Sequence, residues 1–411
     1  MSGATWLMLE RGALLALEIA LAIPALYLAV VTLAALWASW RGGVTRAEPG
    51  AEPPLAISEW PRLVMLIPAH NEERLIERLL ASVSRLSYPR DRLAVYVIAD
   101  NCTDATAALA SAFAGVRVLP RTDPEHASKG FALEWALDWL IAHNITYDAC
   151  VMFDADSTIA PDCLRALAVE YLHGADAVQG QYIVLNAFDS PPTSLRWLAL
   201  TLMNHVRQLG RATLGASCSL MGNGMLFSAA LLERRPWQAF GQTEDYQYYL
   251  DLVAHGESVR YAAGAVVKAD MPATFAQMRP QDLRWESAES PMYVSALRLL
   301  RAAAQRRSAI PLEAIIELLT PPLSLLVGFT CVLLVAAVAL GWPLTLIVAL
   351  VILACVALYI SSALLLERPP LRFYGHLAYA PFYLCWKLWV KLVAVRLPNR
   401  SHEWVRTSRV G

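Results

Sequence analysis

The sequence predicts an α/β domain, a mostly parallel sheet with helices on both faces, joined to α-helical transmembrane segments. Residues 62–153 alternate short apolar runs with amphipathic segments, a pattern typical of parallel strands connected by helices. Long apolar runs lie on either side of the central region. Only 17% of the 411 residues are charged, against about 25% in an ordinary soluble domain. Part of the chain is therefore expected in lipid.

Short apolar runs predict the strands, and the amphipathic segments between them predict the helices. The strands are expected at 62–67, 93–99, 116–119 and 149–153, and the helices at 73–86, 103–113 and 130–143. Ligands of open α/β sheets bind at the carboxyl ends of the strands. Polar residues directly follow three of these strands, so a functional site is expected at that edge of the sheet.

Three long apolar runs predict transmembrane helices. The run at 13–40 is longer than a signal-peptide core of about 7–15 residues. The runs at 310–340 and 343–366 each exceed the roughly 20 apolar residues that cross a bilayer. The predicted organisation is a transmembrane helix at 1–40, a linker at 41–60, a globular domain with interfacial helices at 61–308, two transmembrane helices at 309–367, and a re-entrant or interfacial segment with a basic tail at 368–411.

Arginine residues flank one end of each predicted span. Positively charged flanks are expected on the cytoplasmic side. This places the globular domain in the cytoplasm and the N-terminus outside, in a protein of the inner membrane. The flanking residues are Arg41, Arg46, Arg301, Arg306, Arg307, Arg368 and Arg372.

Three segments mix apolar and basic residues. Those at 191–214 and 283–304 are interpreted either as helices lying flat on the membrane or as core helices of the globular domain. Both interpretations remain open. The segment at 373–397 contains Lys387 and Lys391, and a full span there would put the basic tail outside. We predict that it is re-entrant or interfacial.

Composition excludes several other classes. The net charge of −1 gives no overall attraction to nucleic acid, and no nucleic-acid partner is expected. Seven cysteines occur without a CxxC pair, so neither a disulfide framework nor a zinc site is predicted. A membrane transporter would carry functional polar residues within its spans, and few are present.

Asp154 and Asp156 directly follow the apolar strand predicted at 149–153. Their spacing of two places both carboxylates on one side of an extended segment, where they repel each other unless a cation lies between them. Carboxylates prefer hard cations such as Mg²⁺ or Mn²⁺, and Mg²⁺ is commonly held by one or two carboxylates together with substrate phosphates. We therefore predict a divalent metal site here.

The first two predicted strands, at 62–67 and 93–99, also end in polar loops. Residues 68–72, Pro-Ala-His-Asn-Glu, follow the first strand, and Asp100 ends the second. A loop between a strand and a helix holds anionic ligands well, because the helix amides favour negative charge. A helix cap would account for either loop taken alone.

Two later motifs carry residues suited to sugar and phosphate chemistry. Glu244 and Asp245 follow Thr243, and a carboxylate beside a metal-held diphosphate serves as a general base. Gln281, Arg284 and Trp285 combine a guanidinium that binds phosphate oxygens with an indole face on which a sugar stacks. A helix cap and a membrane-surface Arg–Trp pair would explain each motif alone.

Taken together and in this order, these motifs resemble family-two glycosyltransferases. The similarity is greatest to the membrane-bound branch that includes cellulose, chitin, hyaluronan and poly-N-acetylglucosamine synthases. The motifs are the 68–72 loop, Asp100, Lys129-Gly130, Asp154-Ala155-Asp156, Thr243-Glu244-Asp245, and the Gln281, Arg284 and Trp285 pattern. The resemblance implies a GT-A fold and inverting transfer from a UDP-sugar, with Mg²⁺ or Mn²⁺ as cofactor.

The resemblance also implies a role for each motif. The nucleotide sugar would be bound by Pro68, Ala69, His70, Asn71, Glu72, Asp100, Lys129 and Asp154. Asp245 would be the base with Glu244 beside it, and Asp156 and Asp154 would hold the metal. The diphosphate and acceptor would contact Gln281, Arg284, Trp285 and Asn223.

The expected partners are a UDP-sugar donor, a glycan or lipid-linked acceptor, and the lipid bilayer. Three spans are few to enclose a polysaccharide tunnel in one chain. Processive export would therefore need a homo-oligomer or an export partner, and single addition to a glycolipid is the alternative. A non-catalytic nucleotide-sugar-binding scaffold is the rival from another class, and the presence of Asp245 argues against it.

Overall fold

The computed structural model describes residues 3–42, 59–287 and 292–394. The predicted linker and basic tail lie largely outside these residues. The described part contains one eight-stranded sheet. Its strands are β1 (Leu63–Ala69), β2 (Leu93–Asp100), β3 (Val116–Arg121), β4 (Ala149–Met152), β5 (Ser157–Ile159), β6 (Ala177–Val184), β7 (Met225–Ser228) and β8 (Val259–Ala269).

Helices cover the sheet and extend beyond it. Before and within the globular domain they are α1 (Gly3–Trp40), α2 (Ile76–Val83), α3 (Thr106–Ser111), α4 (Lys129–Ala142), α5 (Cys163–Leu172), α6 (Pro191–Thr201), α7 (Gln208–Thr213), α8 (Ala229–Arg234) and α9 (Glu244–Ala254). They continue with α10 (Phe275–Ser287), α11 (Met292–Arg306), α12 (Ile310–Leu319), α13 (Leu323–Leu340), α14 (Pro343–Glu367), α15 (Leu371–His376) and α16 (Ala380–Ala394). A π-helical segment, Leu202–Arg207, joins α6 to α7.

The sheet order is β3-β2-β1-β4-β7-β6-β8-β5. Parallel pairing joins β1 to β2, β1 to β4, β2 to β3 and β6 to β8. Only β7 and β5 pair antiparallel with their neighbours. The prediction of a mostly parallel sheet is therefore confirmed.

Helices pack on both faces of the sheet, as predicted. Side chains of β1 alternate between the two faces, and every residue of this strand is buried. Leu63, Met65 and Ile67 belong to one apolar core, whereas Val64 and Leu66 belong to the other. A strand that is buried on both faces consists of consecutive apolar residues. This run allowed β1 to be predicted from the sequence.

The first three predicted strands end later than the sequence pattern suggested, whereas β4 ends one residue earlier, at Met152. Pro68 and Ala69, expected in the first polar loop, are the last residues of β1 and pair with Ile98 and Ala99. Backbone hydrogen bonding to β2 extends the strand past its apolar run. The loop itself therefore begins at His70.

Within the described residues, three helices are long and apolar enough to cross a membrane: Leu14–Trp40 within α1, then α13 and α14. The expectation of one continuous span at 310–340 is wrong. Thr320, Pro321 and Pro322 separate α12 from α13, because proline lacks the N–H that a helix interior requires. The shorter α12 carries Glu313 and Glu317, which bond to the globular domain.

The two mixed segments differ in their packing. Segment 191–214 lies between the sheet and the apolar helices, where Arg196 and Arg211 are buried, and α7 packs against α1. The interpretation as core helices fits this segment. Helix α11, in the other segment, leaves Val294, Leu297 and Leu300 exposed.

Helix α16 has 15 residues, about 22 Å in length, and packs against α10. Its location at the interface remains a prediction.

Replacing Gly130 by alanine tests the packing that positions α4. A Cβ added there would lie 2.1 Å from the Ala239 carbonyl oxygen, so we expect Gly130→Ala to lower the free energy of unfolding by about 1–3 kcal/mol. A Cβ at the helical Gly375 meets nothing within 4 Å, and Gly375→Ala is the control. Thermal unfolding of the detergent-solubilised protein is the measurement. Equal midpoints for both variants would contradict the packing argument.

Candidate active site

The first loop of the site follows β1 and lies against the end of β2. The His70 Nδ1 atom lies 2.8 Å from the backbone carbonyl oxygen of Asp100. The backbone N–H of Glu72 donates to the Thr106 hydroxyl at 2.8 Å. Between them Asn71 adopts a φ of +55°, a conformation that asparagine tolerates better than most residues. The loops after β1 and β2 thus form one continuous wall.

Asp100 lies at the base of this wall and is completely buried. Its Oδ1 atom is 2.5 Å from the Arg121 guanidinium, which is also buried. Burial raises the pKa of Asp100, and the hydrogen bond from Arg121 partly offsets that rise. The other oxygen, Oδ2, has no hydrogen-bond partner in the described part of the chain. A buried carboxylate oxygen of this kind is suited to accept a hydrogen bond from a ligand.

Lys129, at the start of α4, lies among the predicted acidic residues. Its Nζ atom is 2.6 Å from Asp154 Oδ1 and 3.4 Å from Glu244 Oε1. Asp156 and Asp245 act electrostatically on the same group of residues. The structure therefore brings together the motifs after β4 and at the start of α9, which are separated by about 90 residues. Two carboxylates contact the ammonium directly, and with Asp156 and Asp245 the group of four carboxylates and one ammonium has an excess of negative charge.

The proximity of these carboxylates changes their proton affinity. Burial and the neighbouring Glu244 raise the pKa of Asp245 to about 7. Burial also raises the pKa of Asp154, against the opposing effect of Lys129. Burial disfavours the charged form of Lys129, but Asp154 and Glu244 outweigh it and raise the pKa of the ammonium. Lys129 therefore stays positively charged in the acidic cluster.

Gly222 brings the main chain against this cluster. Its carbonyl oxygen accepts a hydrogen bond from Lys129 Nζ at 2.5 Å. The residue has a φ of +76°, and a Cβ added to it would lie 3.0 Å from Asp245 Oδ2. Glycine is favoured by both the positive φ and the small space. The glycines on either side of Asn223 were a usable sequence signal for a tight turn before β7.

Asn223 was expected to contact the acceptor, but its side chain is completely buried. Its Oδ1 accepts a hydrogen bond from the Asp154 N–H at 3.2 Å, and its Nδ2 donates to Ser157 Oγ at 2.6 Å. Gln179 Nε2 donates a hydrogen bond to the Asn223 carbonyl oxygen at 2.8 Å. Gln179 was not among the residues predicted from the sequence. Asn223 therefore orients the loop that carries both aspartates, and its amide oxygen and nitrogen are both engaged within this loop.

The donor atoms present fit a hard divalent cation. Asp154 and Asp156 are both partly exposed, while Ala155 between them is buried, and a turn at 155–156 follows Asp154. In the described residues no group of three His, Cys, Asp or Glu side chains could hold an ion alone. Binding by one or two carboxylates together with substrate phosphates is the usual arrangement for Mg²⁺. The residues fit that arrangement.

The remaining motif lies on α10. Gln281 is buried, and the Arg196 guanidinium lies 5.1 Å from the centre of the Trp285 ring. The side chain of Arg284 lies outside the described residues. In the described part of the chain, the contacts of Gln281 and Trp285 do not reach the Lys129 cluster. These residues are therefore not joined directly to the predicted metal site.

Asp282, within the same motif, was missed. It is completely buried, and its Oδ1 lies 2.5 Å from Arg196 on α6 and 3.2 Å from Lys387 on α16. This carboxylate joins three helices. The usable signal was an acid next to Leu283 in a chain whose apolar helices carry isolated basic residues, such as Arg196 and Lys387.

Residues 61–288 match the sequence model of the protein family described as "Glycosyltransferase like family 2". The match covers more than half of the chain. The chain belongs to this family.

Curated relatives agree with this assignment. The chain is 26% identical over 235 residues to a probable glycosyltransferase, YdaM, of Bacillus subtilis (strain 168), covering 56% of this chain and 55% of that protein. It is 24% identical over 290 residues to beta-monoglucosyldiacylglycerol synthase of Synechocystis sp., covering 65% of this chain and 59% of that protein. The chain thus spans a little over half the length of these two relatives.

A solved structure shares the fold. It is the mannosyltransferase PcManGT from Pyrobaculum calidifontis, in complex with GDP-Man and Mn²⁺. The TM-score is 0.50 at 19% sequence identity, and the match covers 92% of this chain and 98% of that one. This similarity and the observed sheet support a GT-A domain joined to apolar helices, as the sequence predicted.

The Asp100–Arg121 pair provides a test of the site's architecture. Arg121→Met leaves the buried Asp100 carboxylate without its cationic partner, and we expect a loss of about 3–5 kcal/mol in the free energy of unfolding. Arg117 is exposed and donates to the Tyr96 hydroxyl, so Arg117→Met is the control and should cost less than about 1 kcal/mol. Denaturant unfolding followed by circular dichroism measures both. Equal losses would show that the buried pair has no special role.

Proposed function

We propose that this protein is a membrane-anchored, metal-dependent, inverting glycosyltransferase. It moves a sugar from a nucleoside-diphosphate sugar to a glycan or lipid-linked acceptor at the cytoplasmic membrane face. The observation that carries the proposal is the Lys129 cluster, in which Asp154, Asp156, Glu244 and Asp245 meet near the carboxyl edge of the sheet. Family membership supports the same conclusion.

The wall formed by the loops after β1 and β2 is suited to the nucleoside. Asp100 presents its unpartnered Oδ2, an acceptor for the N–H groups of a nucleobase. His70 and Asn71 lie on the same wall, and Glu72 closes it on the side of α3. Pro68 and Ala69, as the last residues of β1, set the position of this loop.

Asp154 and Asp156 would hold the divalent cation, together with the donor diphosphate. When bound, such a cation supplies positive charge that stabilises the departing diphosphate. Lys129 adds a fixed ammonium beside the same oxygens. Gln281, Arg284 and Trp285 are assigned to the diphosphate and acceptor side, with Asn223 orienting the aspartate loop.

Asp245 is the proposed base. It takes the proton from an acceptor hydroxyl, and that oxygen forms a bond to the anomeric carbon from the face opposite the diphosphate. The bond between this carbon and the diphosphate breaks, and the electron pair leaves on the diphosphate. A base with a pKa of about 7 is well matched to proton transfer near neutral pH. Glu244 helps by raising the pKa of Asp245.

A UDP-sugar is the proposed donor, and GDP-mannose is the second candidate. The solved structure with the same fold was obtained with GDP-Man and Mn²⁺, and other relatives are named glucomannan 4-beta-mannosyltransferases. For the acceptor, the name of the Synechocystis relative, a glycolipid synthase, favours addition to a lipid. Three apolar helices in the described residues also suit single addition better than export through one chain.

The membrane arrangement is part of the proposal. The helices Leu14–Trp40, α13 and α14 are assigned as spans of the inner membrane. Arginines at their flanks support a cytoplasmic globular domain by the positive-inside rule. Helix α11 supports this arrangement, because its exposed Val294, Leu297 and Leu300 would be covered by lipid.

Asp245→Asn tests the base. We expect kcat to fall by about 10²-fold or more, because the amide cannot accept the proton. Asp251 lies two turns further along α9 and pairs with Arg298. Asp251→Asn is the matched control and should retain activity. Membranes are incubated with UDP-glucose, UDP-N-acetylglucosamine or GDP-mannose and Mn²⁺, and nucleotide release and labelled product are measured.

The outcomes of this assay separate the candidates. Release of UDP or of GDP identifies the donor, and the size of the labelled product distinguishes one addition from many. Unchanged activity of Asp245→Asn would remove the base assignment. A wild-type protein that binds nucleotide and transfers no sugar from any of the donors would support the scaffold alternative.

A further inference from the structure

A buried group of four charged residues lies where the globular domain meets the apolar helices. Arg207 ends the π-helical segment and Arg211 lies four residues later in α7, while Glu313 and Glu317 are four residues apart on α12. Arg207 Nη1 lies 2.9 Å from Glu317 Oε1, and Arg211 Nε lies 2.7 Å from Glu313 Oε1. Arg211 is completely buried. We refer to these four residues as the interface network.

The network contacts two of the apolar helices. The Tyr27 hydroxyl of α1 donates to Glu313 at 2.5 Å and lies 3.0 Å from Glu317. On α14, the buried Tyr359 hydroxyl accepts from Arg207 Nε at 3.3 Å. Tyr359 is 16 residues from the start of α14, about 24 Å along the helix axis. The network therefore meets α1 at the middle of the Leu14–Trp40 span and meets α14 about two thirds of the way along that helix.

The network also contacts both segments that hold the candidate base. Arg211 Nη2 donates to the Tyr249 hydroxyl at 2.7 Å, and Nη1 donates to Ser219 Oγ at 2.6 Å. Tyr249 belongs to α9, whose first two residues are Glu244 and Asp245. Ser219 lies three residues before Gly222, whose carbonyl oxygen accepts a hydrogen bond from Lys129 Nζ. One guanidinium thus holds α9 and the glycine loop in a fixed relation.

Stability alone is a poor explanation for this arrangement. Buried ion pairs cost desolvation that apolar packing avoids, and replacing them by apolar residues is often neutral or favourable. The surrounding helices are apolar, so apolar packing was available here. Close backbone packing already joins α7 to α1, because a Cβ added at Gly210 would lie 1.9 Å from the Val31 carbonyl oxygen. The hydrogen bonds of Arg211 additionally fix the orientation of α7 relative to the residues that it contacts.

We propose that Arg211 is a positioning residue that aligns the candidate base with the Lys129 cluster and ties that alignment to the transmembrane helices. It contacts neither Asp245 nor Lys129 directly in the described structure, and it acts through Tyr249 and Ser219. The inference rests on the proposed transferase activity. It adds that the membrane helices take part in forming the active site as well as anchoring the protein.

The test uses the double variant Arg211→Met/Glu313→Gln in the full-length protein in nanodiscs. It removes one charge of each sign, so neither residue leaves the other as an unpaired buried charge. We expect kcat to fall about 10- to 100-fold, because small misplacements of reacting groups have effects of this size, while the donor KM stays close to the wild-type value. The control is Arg234→Met/Glu257→Gln, a partly exposed pair in the same domain, which should leave kcat unchanged.

A milder variant tests the connection to the membrane. Tyr27→Phe removes only the hydroxyl that α1 contributes to the network, and it should lower kcat several-fold without changing the donor KM. A matched control is Tyr374→Phe, because that side chain is exposed. A loss of kcat from Tyr27→Phe with an unchanged thermal midpoint would place the effect on alignment and not on folding.

Hydrogen exchange separates failure of this inference from failure of the proposed function. Amides of residues 219–224 and 244–250 should exchange faster in the Arg211→Met/Glu313→Gln variant than in the wild type, while those of β1 should not change. Unchanged exchange in both segments would overturn the positioning role whether or not transfer is detected. If the wild type transfers no sugar, the exchange result still decides whether the network aligns α9.

Discussion

The ammonium of Lys129 lies 2.6 Å from Asp154 and 3.4 Å from Glu244, and the rest of the site depends on this contact. It joins the residues after β4 to the first turn of α9, two regions far apart in the chain. Helix α4 must start at this point, and Gly130 permits it by letting the helix approach the Ala239 carbonyl. The sheet supplies the other requirement, since parallel strands end at a common edge.

An excess of carboxylates near one ammonium is electrostatically costly without a cationic ligand. Asp154 and Asp245 both show raised pKa values from burial and mutual repulsion. Retaining such an arrangement makes sense at a site that binds a cation or transfers a proton. The Asn223 side chain supports the same interpretation, because a fully buried carboxamide is used to orient the Asp154 backbone.

Much of the fold followed from the sequence, for physical reasons. Strands buried on both faces appear as apolar runs, and β1, β2 and β4 were recognised in this way. The side of the sheet that holds the site followed from the order of the strands. The ends of the elements were less accurate, as Pro68 and Ala69 show, because cross-strand hydrogen bonding and not residue type sets them.

Long-range pairing was the part that the sequence did not reveal. Arg121 and Asp100 are 21 residues apart, and Arg211 and Glu313 are 102 apart. A single chain contains many arginines and acids, and local spacing does not indicate which of them meet. The break between α12 and α13 was visible in Pro321 and Pro322, but the apolar character of the run concealed it. The two acids on α12 became interpretable only beside Arg207 and Arg211.

In the proposed function, the acidic cluster binds a divalent cation together with a nucleoside diphosphate. Electron paramagnetic resonance of Mn²⁺ added to the full-length protein, with and without UDP or GDP, measures this binding. We predict that one nucleotide makes Mn²⁺ bind more tightly and that Asp156→Ala abolishes the increase. Mn²⁺ binding that is the same with either nucleotide and without it, together with nucleotide binding that EDTA does not weaken, would show that the cluster is not a metal–nucleotide site.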